Sequence, residues 1–253
     1  MMGIAKHLAL GLFGALLALT PMAARGQIFV TNLGSGIIGE YTTSGTAVNA
    51  DLVSGLNEPL GIAVSGSDLF VANFGGNTIG EYTTSGATVN TALVSDLASP
   101  TGVAISGSDL FVVNQNSDSV GEYTTSGTTV NAGLIWGLSR ASAIAVSGSD
   151  LFVANYDGDT IGQYTTSGAT VNAALVSGLD EPCGVAVSEP DLFVANQGLG
   201  TVGEYSTTTG AAVNPALISG LDEPTGIAVE SMPEPTGISL VGLGILALLV
   251  RRR

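Results

Sequence analysis

Between Gln27 and Glu230 the chain carries one tryptophan, Trp136, and one basic side chain, Arg140, four residues apart. An indole beside a guanidinium suits planar, sugar-like or anionic groups: the ring offers an apolar face, and the guanidinium offers a fork of donors. The expected chemistry is a small aromatic-plus-arginine contact for a sugar or an acidic partner. A second group follows at Tyr156-Asp157-Gly158-Asp159, whose two carboxylates are hard oxygen donors of the kind calcium accepts. No full calcium-loop pattern surrounds them, so no metal or cofactor is expected. The plainer reading of Trp136 is a decayed repeat in which the ring fills space, and that alternative stays open.

The residues that are missing narrow the chemistry further. The only histidine, His7, and the only lysine, Lys6, lie near the N-terminus. The segment from Gln27 onward therefore has no imidazole and no amine for acid–base work. Its serines have no histidine partner, which excludes a hydrolase triad. Twenty acidic side chains face one basic one between Gln27 and Glu230, a net charge of −19. Such a surface repels nucleic acid and anionic lipid. The reading is a non-enzyme, with a metal-dependent lyase or hydrolase as the alternative.

These residues ride on a repeat. Tyr41, Tyr82, Tyr123, Tyr164 and Tyr205 recur every 41 residues, as do Asn32, Asn73, Asn114, Asn155 and Asn196. One residue inserted between Ser206 and Gly210 shifts the last Pro-x-Gly to Pro224 and Gly226. A period of about 40–45 residues with four short strands describes a propeller blade. In the second unit the strands are Gly61 to Val64, Leu69 to Asn73, Thr78 to Thr84 and Ala87 to Val94. The first two are almost continuously apolar and need cover on both sheet faces, which radially packed blades supply. The fold class is all-β: a β-propeller of five four-stranded blades. The first unit lacks its Gly-Ile-Ala-Val strand, and Gly226-Ile227-Ala228-Val229 is left over at the other end. Joined, the two would close the ring and leave no edge; an open solenoid would leave two raw edges.

Copy-to-copy comparison separates two faces. The turns Ser-Gly-Ser-Asp and Thr-Thr-Ser-Gly hardly change. The loops at 33–36, 74–77, 115–118, 156–159 and 197–200 vary, and Trp136 and Arg140 lie near that varied face. Loops on a rigid scaffold are where binding residues usually sit. The five asparagines read as strand-ending Asx-turns, and the lone Cys183 as a small buried residue without a disulfide.

The units resemble NHL and related propeller repeats, in which Pro-x-Gly-Ile-Ala-Val precedes a Leu-Phe-Val-Ala-Asn strand. Propeller lactonases and lyases hold a metal through particular Asn, Asp, Glu or His residues. Here the residue between the proline and glycine positions is Leu60, Thr101, Ser142, Cys183 or Thr225, so no asparagine ligand appears there.

Both ends read as addresses. Residues 1–26 form a secretory signal peptide, with an apolar helix from Leu8 to Leu19 and cleavage after Ala24 or Gly26. The propeller occupies 27–230. Residues 231–253 hold Met232-Pro233-Glu234-Pro235, an uncharged run over 237–250, and Arg251, Arg252 and Arg253. Fourteen helical residues span roughly 21 Å against a hydrocarbon core of about 30 Å, and the arginines stay cytoplasmic. This tripartite tail resembles the PEP-CTERM sorting signal of Gram-negative bacteria. The resemblance implies export through the secretion machinery, brief anchoring of the C-terminal transmembrane helix in the inner membrane, and processing by an exosortase. The product would reach the cell surface or extracellular space, joining extracellular polysaccharide or a biofilm matrix. An unprocessed tail anchor is the alternative.

Overall fold

In the computed structural model, the described residues are 26–229. The signal helix, the sorting motif Pro233-Glu234-Pro235, the apolar run 237–250 and Arg251 to Arg253 lie outside them. Among the described residues no helix is long and apolar enough to cross a membrane.

Those residues form an all-β propeller of five antiparallel sheets in chain order. The first sheet is β1 (Gln27–Asn32), β2 (Ile37–Thr42) and β3 (Ala47–Ser54); the second is β4 (Pro59–Ser65), β5 (Asp68–Asn73), β6 (Thr78–Thr83) and β7 (Thr88–Val94). The third is β8 (Pro100–Ser106), β9 (Asp109–Asn114), β10 (Ser119–Thr124) and β11 (Thr129–Trp136). The fourth is β12 (Ala141–Ser147), β13 (Asp150–Asn155), β14 (Thr160–Thr165) and β15 (Thr170–Ser177). The fifth is β16 (Pro182–Ser188), β17 (Asp191–Asn196), β18 (Thr201–Ser206) and β19 (Ala212–Ser219). Each runs up and down without crossovers.

Turn chemistry explains the hairpins. Ser65 pairs with Asp68, leaving Gly66-Ser67 as a two-residue loop whose first residue is glycine at φ 59°, the arrangement of a type II′ turn. The continuous apolar strands are buried as the pattern requires. Leu69, Phe70, Val71 and Ala72 of β5 are all enclosed, as are Leu110 to Val113 of β9. The core sits between neighbouring sheets, in one cluster per interface. Val94 and Leu97 meet Leu110, Val112 and Tyr123. Ile135 and Leu138 meet Leu151, Val153 and Tyr164 in the same way. Val176 and Leu179 repeat this with Leu192, Val194 and Tyr205. Val53 does so with Leu69, Val71 and Tyr82. Each enclosed aliphatic side chain stabilises the fold by about 1.5–3 kcal/mol, so the interfaces rather than the single sheets carry the stability.

The inner strands β4, β8, β12 and β16 pack side by side around the axis. Glycine permits the approach. A Cβ on Gly61 would stand 2.5 Å from the Thr101 carbonyl oxygen, and one on Gly184 would stand 3.1 Å from that of Thr225.

The expected closure of the ring does not form. Gly226 to Val229 carries no strand, β1 pairs only with β2, and no packed interface joins the first and fifth sheets. Gly226 seats against Gly184, one step beyond β16, just as Gly102 seats against Gly61, so the segment continues the row of inner strands instead of pairing with β1. The arc keeps two raw edges, which the closed-ring expectation did not include.

Candidate functional site

The two faces inferred from the repeat are real faces of the arc. On the uniform face, the two turns of each four-stranded sheet are tied together: the Thr84, Thr125, Thr166 and Thr207 amides donate to the carbonyls of Ser67, Ser108, Ser149 and Pro190. On the varied face of the four-stranded sheets, each second-to-third-strand loop is tied to the connection entering its sheet. Tyr156 and Asp157 donate their amides to the carbonyls of Arg140 and Ser139, as Gln115 and Asn116 do to those of Ser99 and Ala98.

That pairing brings Arg140, Tyr156 and Asp157 together. The Arg140 guanidinium lies 4.8 Å from the centre of the Tyr156 ring, and its Nη1 is 3.5 Å from Asp157 Oδ1. Both ion-pair partners are more than half exposed, so the pair contributes at most about 1 kcal/mol. Partial burial and the nearby Glu181 carboxylate push the Tyr156 phenol up, while Arg140 pulls it down. The Arg140 backbone sits at φ 48°, where a non-glycine residue is strained, and its amide donates to Asp118 Oδ1 at 2.8 Å. The result is a small exposed platform, flat on one side and cationic at its edge.

Two other sequence candidates stand apart from it. Asp159 Oδ1 accepts the Glu181 amide at 3.0 Å, as Asn77 Oδ1 accepts that of Ser99. Its carboxylate thus fastens the next connection. Trp136 ends β11 and is 65% exposed. Its indole folds back over Gly133, where any Cβ would overlap the ring. The other units have Asp51, Ala92, Ala174 and Ala216 at that place and serine at the tryptophan place. Trp136 and Gly133 are therefore a matched pair, a link the repeat alignment contained but sequence reasoning missed. Among the described residues no three carboxylate, thiol or imidazole groups gather as a metal-ligand set.

Sequence reasoning also missed a chain of hydrogen bonds between inner strands. Thr101 Oγ1 donates to the Ala141 carbonyl at 3.4 Å, and Ser142 Oγ donates to that of Pro182 at 2.8 Å. Cys183 Sγ likewise donates to that of Pro224. Cys183 thus stands where its counterparts have hydroxyls, and burial pushes its thiol up to about 11. Leu60 cannot join this chain; instead Thr31 Oγ1 reaches the Leu60 carbonyl at 2.6 Å. The signal was the recurrence of Thr, Ser and Cys between the proline and glycine positions.

The asparagines behave differently from the Asx-turn expectation. Only Asn32 accepts a local amide, that of Ser35, at 3.4 Å. Asn114 and Asn155 accept the amides of Ala98 and Ser139, binding their strands to the incoming connection. Asn73, Asn114 and Asn196 also lie against Tyr82, Tyr123 and Tyr205, whose phenols burial pushes up and these contacts partly lower.

A depression of about 290 Å³ lies elsewhere. It opens between the fourth and fifth sheets on the uniform face, lined by Asp150, Phe152, Gln163, Val171, Glu189, Thr207 and Thr208. Glu189 is engaged there by Thr207 Oγ1 at 2.7 Å.

No protein-family model matches the chain, and no curated protein matches it. Solved structures do. A streptogramin B lyase superposes with a TM-score of 0.65 at 21% identity, over 80% of this chain and 69% of that one. A catalytically inactive histidine-to-alanine virginiamycin B lyase from Staphylococcus aureus, solved with quinupristin, gives 0.61 at 18% identity over 81% and 71%. The nidogen/laminin complex gives 0.69 at 17% identity, over 81% of both chains. An enzyme and a nidogen/laminin complex both fit the same arc, so what this chain shares with them is the fold: a β-propeller of NHL-like repeats.

Proposed function

We propose that this is an exported, non-catalytic propeller of the cell envelope or extracellular matrix, sorted by an exosortase through its PEP-CTERM-like tail. The observation that carries the sorting is Pro233-Glu234-Pro235, the apolar run 237–250 and Arg251-Arg252-Arg253 in fixed order, with a signal peptide at the other end. The propeller serves as a binding or structural surface component, and the Arg140–Tyr156–Asp157 platform is its contact for extracellular polysaccharide. Acidic sugars would pair with the guanidinium and stack on the phenol ring.

Two observations favour binding over catalysis. The virginiamycin lyase in the comparison is inactivated by replacing one histidine, whereas this chain's single histidine, His7, precedes β1. The carboxylates of the candidate site are already committed, Asp157 to Arg140 and Asp159 to the Glu181 amide.

Cell fractionation with mass measurement of the mature C-terminus tests the sorting. The native chain should lose the residues after the Pro-Glu-Pro motif, and a Glu234→Ala chain should stay intact in the inner membrane. An intact native chain in the cytosol would overturn the reading. Stoichiometric bound divalent metal, or cleavage of streptogramin-type substrates by the purified protein, would move the function to the enzyme alternative.

A further inference from the structure

The two raw edges of the arc are the two halves of an interface that the molecule already builds four times. At each internal interface, two or three aliphatic residues from the end of one sheet cover the second strand of the next. At the fifth-sheet edge the corresponding residues are Leu217, Ile218 and Leu221, and no described residue covers them. Ile218 is 48% exposed, whereas its counterparts Val53, Val94, Ile135 and Val176 are 2–6% exposed. The opposite edge mirrors this. Ile28 and Val30 of β1 are 42% and 45% exposed, while Leu69, Val71 and their later counterparts are fully buried. One edge has the knobs without their seat; the other has the seat without its knobs.

The backbone shows the same mismatch. β1 lacks the inner strand that pairs with β5, β9, β13 and β17 in the other sheets. Gly226 to Val229 has the sequence of such a strand, and its Gly226 stands beside Gly184, one step past β16, while the segment carries no strand of its own. An unpaired strand edge is a template for a strand from another chain.

We propose that copies of this chain assemble head to tail, each lending Gly226–Val229 to β1 of the next copy as its missing inner strand. The register follows from the internal sheets. Ile62 pairs with Val71 and Ala63 with Phe70; Val103 pairs with Val112 and Ala104 with Phe111. By the same count Ile227 of one copy faces Val30 of the next, and Ala228 faces Phe29. Leu217, Ile218 and Leu221 then land on Ile28, Val30 and Tyr41, repeating the internal interface. The two surfaces differ, so the contact is heterologous and grows into a ring or a filament. Between Gln27 and Glu230 twenty acids against one base in each copy oppose this at low salt, so assembly strengthens as salt shortens the screening length below about 10 Å.

Cross-linking the full chain tests this directly. In a Cys183→Ser background, the Ile227→Cys and Val30→Cys chains are oxidised alone, as an equimolar mixture, and combined in one chain. Each single variant alone should give no covalent dimer on a non-reducing denaturing gel, the mixture should give covalent heterodimers only, and the double variant should give a reducible ladder. Raising salt from about 0.05 to 0.5 M should raise the cross-linked fraction several-fold. A double variant that cross-links only onto itself would mean that the ring closes within one chain. Absence of any cross-link, with unchanged circular dichroism, would mean that other residues cover these edges. Either result overturns the proposal.

Discussion

Arg140 shows how a residue can be strained by the backbone and still hold its place. Its left-handed φ is fixed by the Asp118 cap, and its side chain gains only an exposed ion pair and a ring contact. Glycine has no penalty at that φ, so Arg140→Gly removes the guanidinium at little cost, whereas Arg140→Ala keeps the strain. Arg140→Ala should be less stable than Arg140→Gly by about 1 kcal/mol in urea titration, and both should lose retention on an acidic polysaccharide column. A second residue-scale effect concerns Glu81 and Glu122. Burial first, and then the charges of Asp68 and Asp109, hold both carboxyls above their ordinary range. A raised folded-state value means the folded chain holds the proton more tightly than the unfolded chain. The protein therefore gains stability as pH falls through the raised values and loses it as pH rises through them. The melting temperature should rise on mild acidification from pH 7, and a Glu81→Gln/Glu122→Gln chain should show a smaller rise.

Within each sheet the repeated Gly-x-Tyr segment sets the packing of the third strand. Residues two apart share a face, and the Tyr82 ring lies flat over Gly80, where a Cβ would stand 2.7 Å from the hydroxyl oxygen. Tyr82 is itself buried and cannot swing aside. Gly80→Ala should cost about 1–3 kcal/mol by overpacking, and Gly45→Ala, where no atom is near but φ is 80°, should cost only its backbone strain. Cys183 belongs to the same scale, because its thiol works as a hydroxyl between inner strands. Native-state labelling by a thiol reagent at pH 8 should be much slower than in urea, since burial raises the thiol to about 11. Cys183→Ser should keep the contact that Cys183→Ala loses, leaving the alanine variant the less stable of the two by about 0.5–1.5 kcal/mol.

At the level of the whole molecule, charge and curvature decide behaviour. Twenty acids spread over both faces between Gln27 and Glu230, against one guanidinium, leave a uniform repulsion that salt can screen. Sodium chloride should raise the melting temperature, and millimolar calcium at matched ionic strength should add nothing, because Asp157 and Asp159 already have partners. A calcium-specific rise would show that the loop rearranges into a site. The curvature leaves five sheets as an arc with apolar edges, which makes concentration as well as salt a variable in any stability measurement.

The 41-residue period, the strand order, the turn glycines and the division into a uniform and a varied face could all be read from the chain alone. Each depends on local rules: alternation or continuity of apolar residues, and φ signs that only glycine takes freely. The readings of 1–26 and 231–253 rest on linear motifs alone, and these segments fall almost wholly outside the described residues. Closure was not legible, because it depends on how successive sheets pack on one another, including the close approach of the inner strands at Gly61, Gly102 and Gly184, and no single unit records that relation. The site shows the same divide. Sequence spacing placed Trp136 beside Arg140, four residues away, but the strand end turns the indole toward Gly133 while the connection turns the guanidinium toward Tyr156. Repetition specified the blade; the packing of one blade on the next decided where the arc stops and which side chains meet.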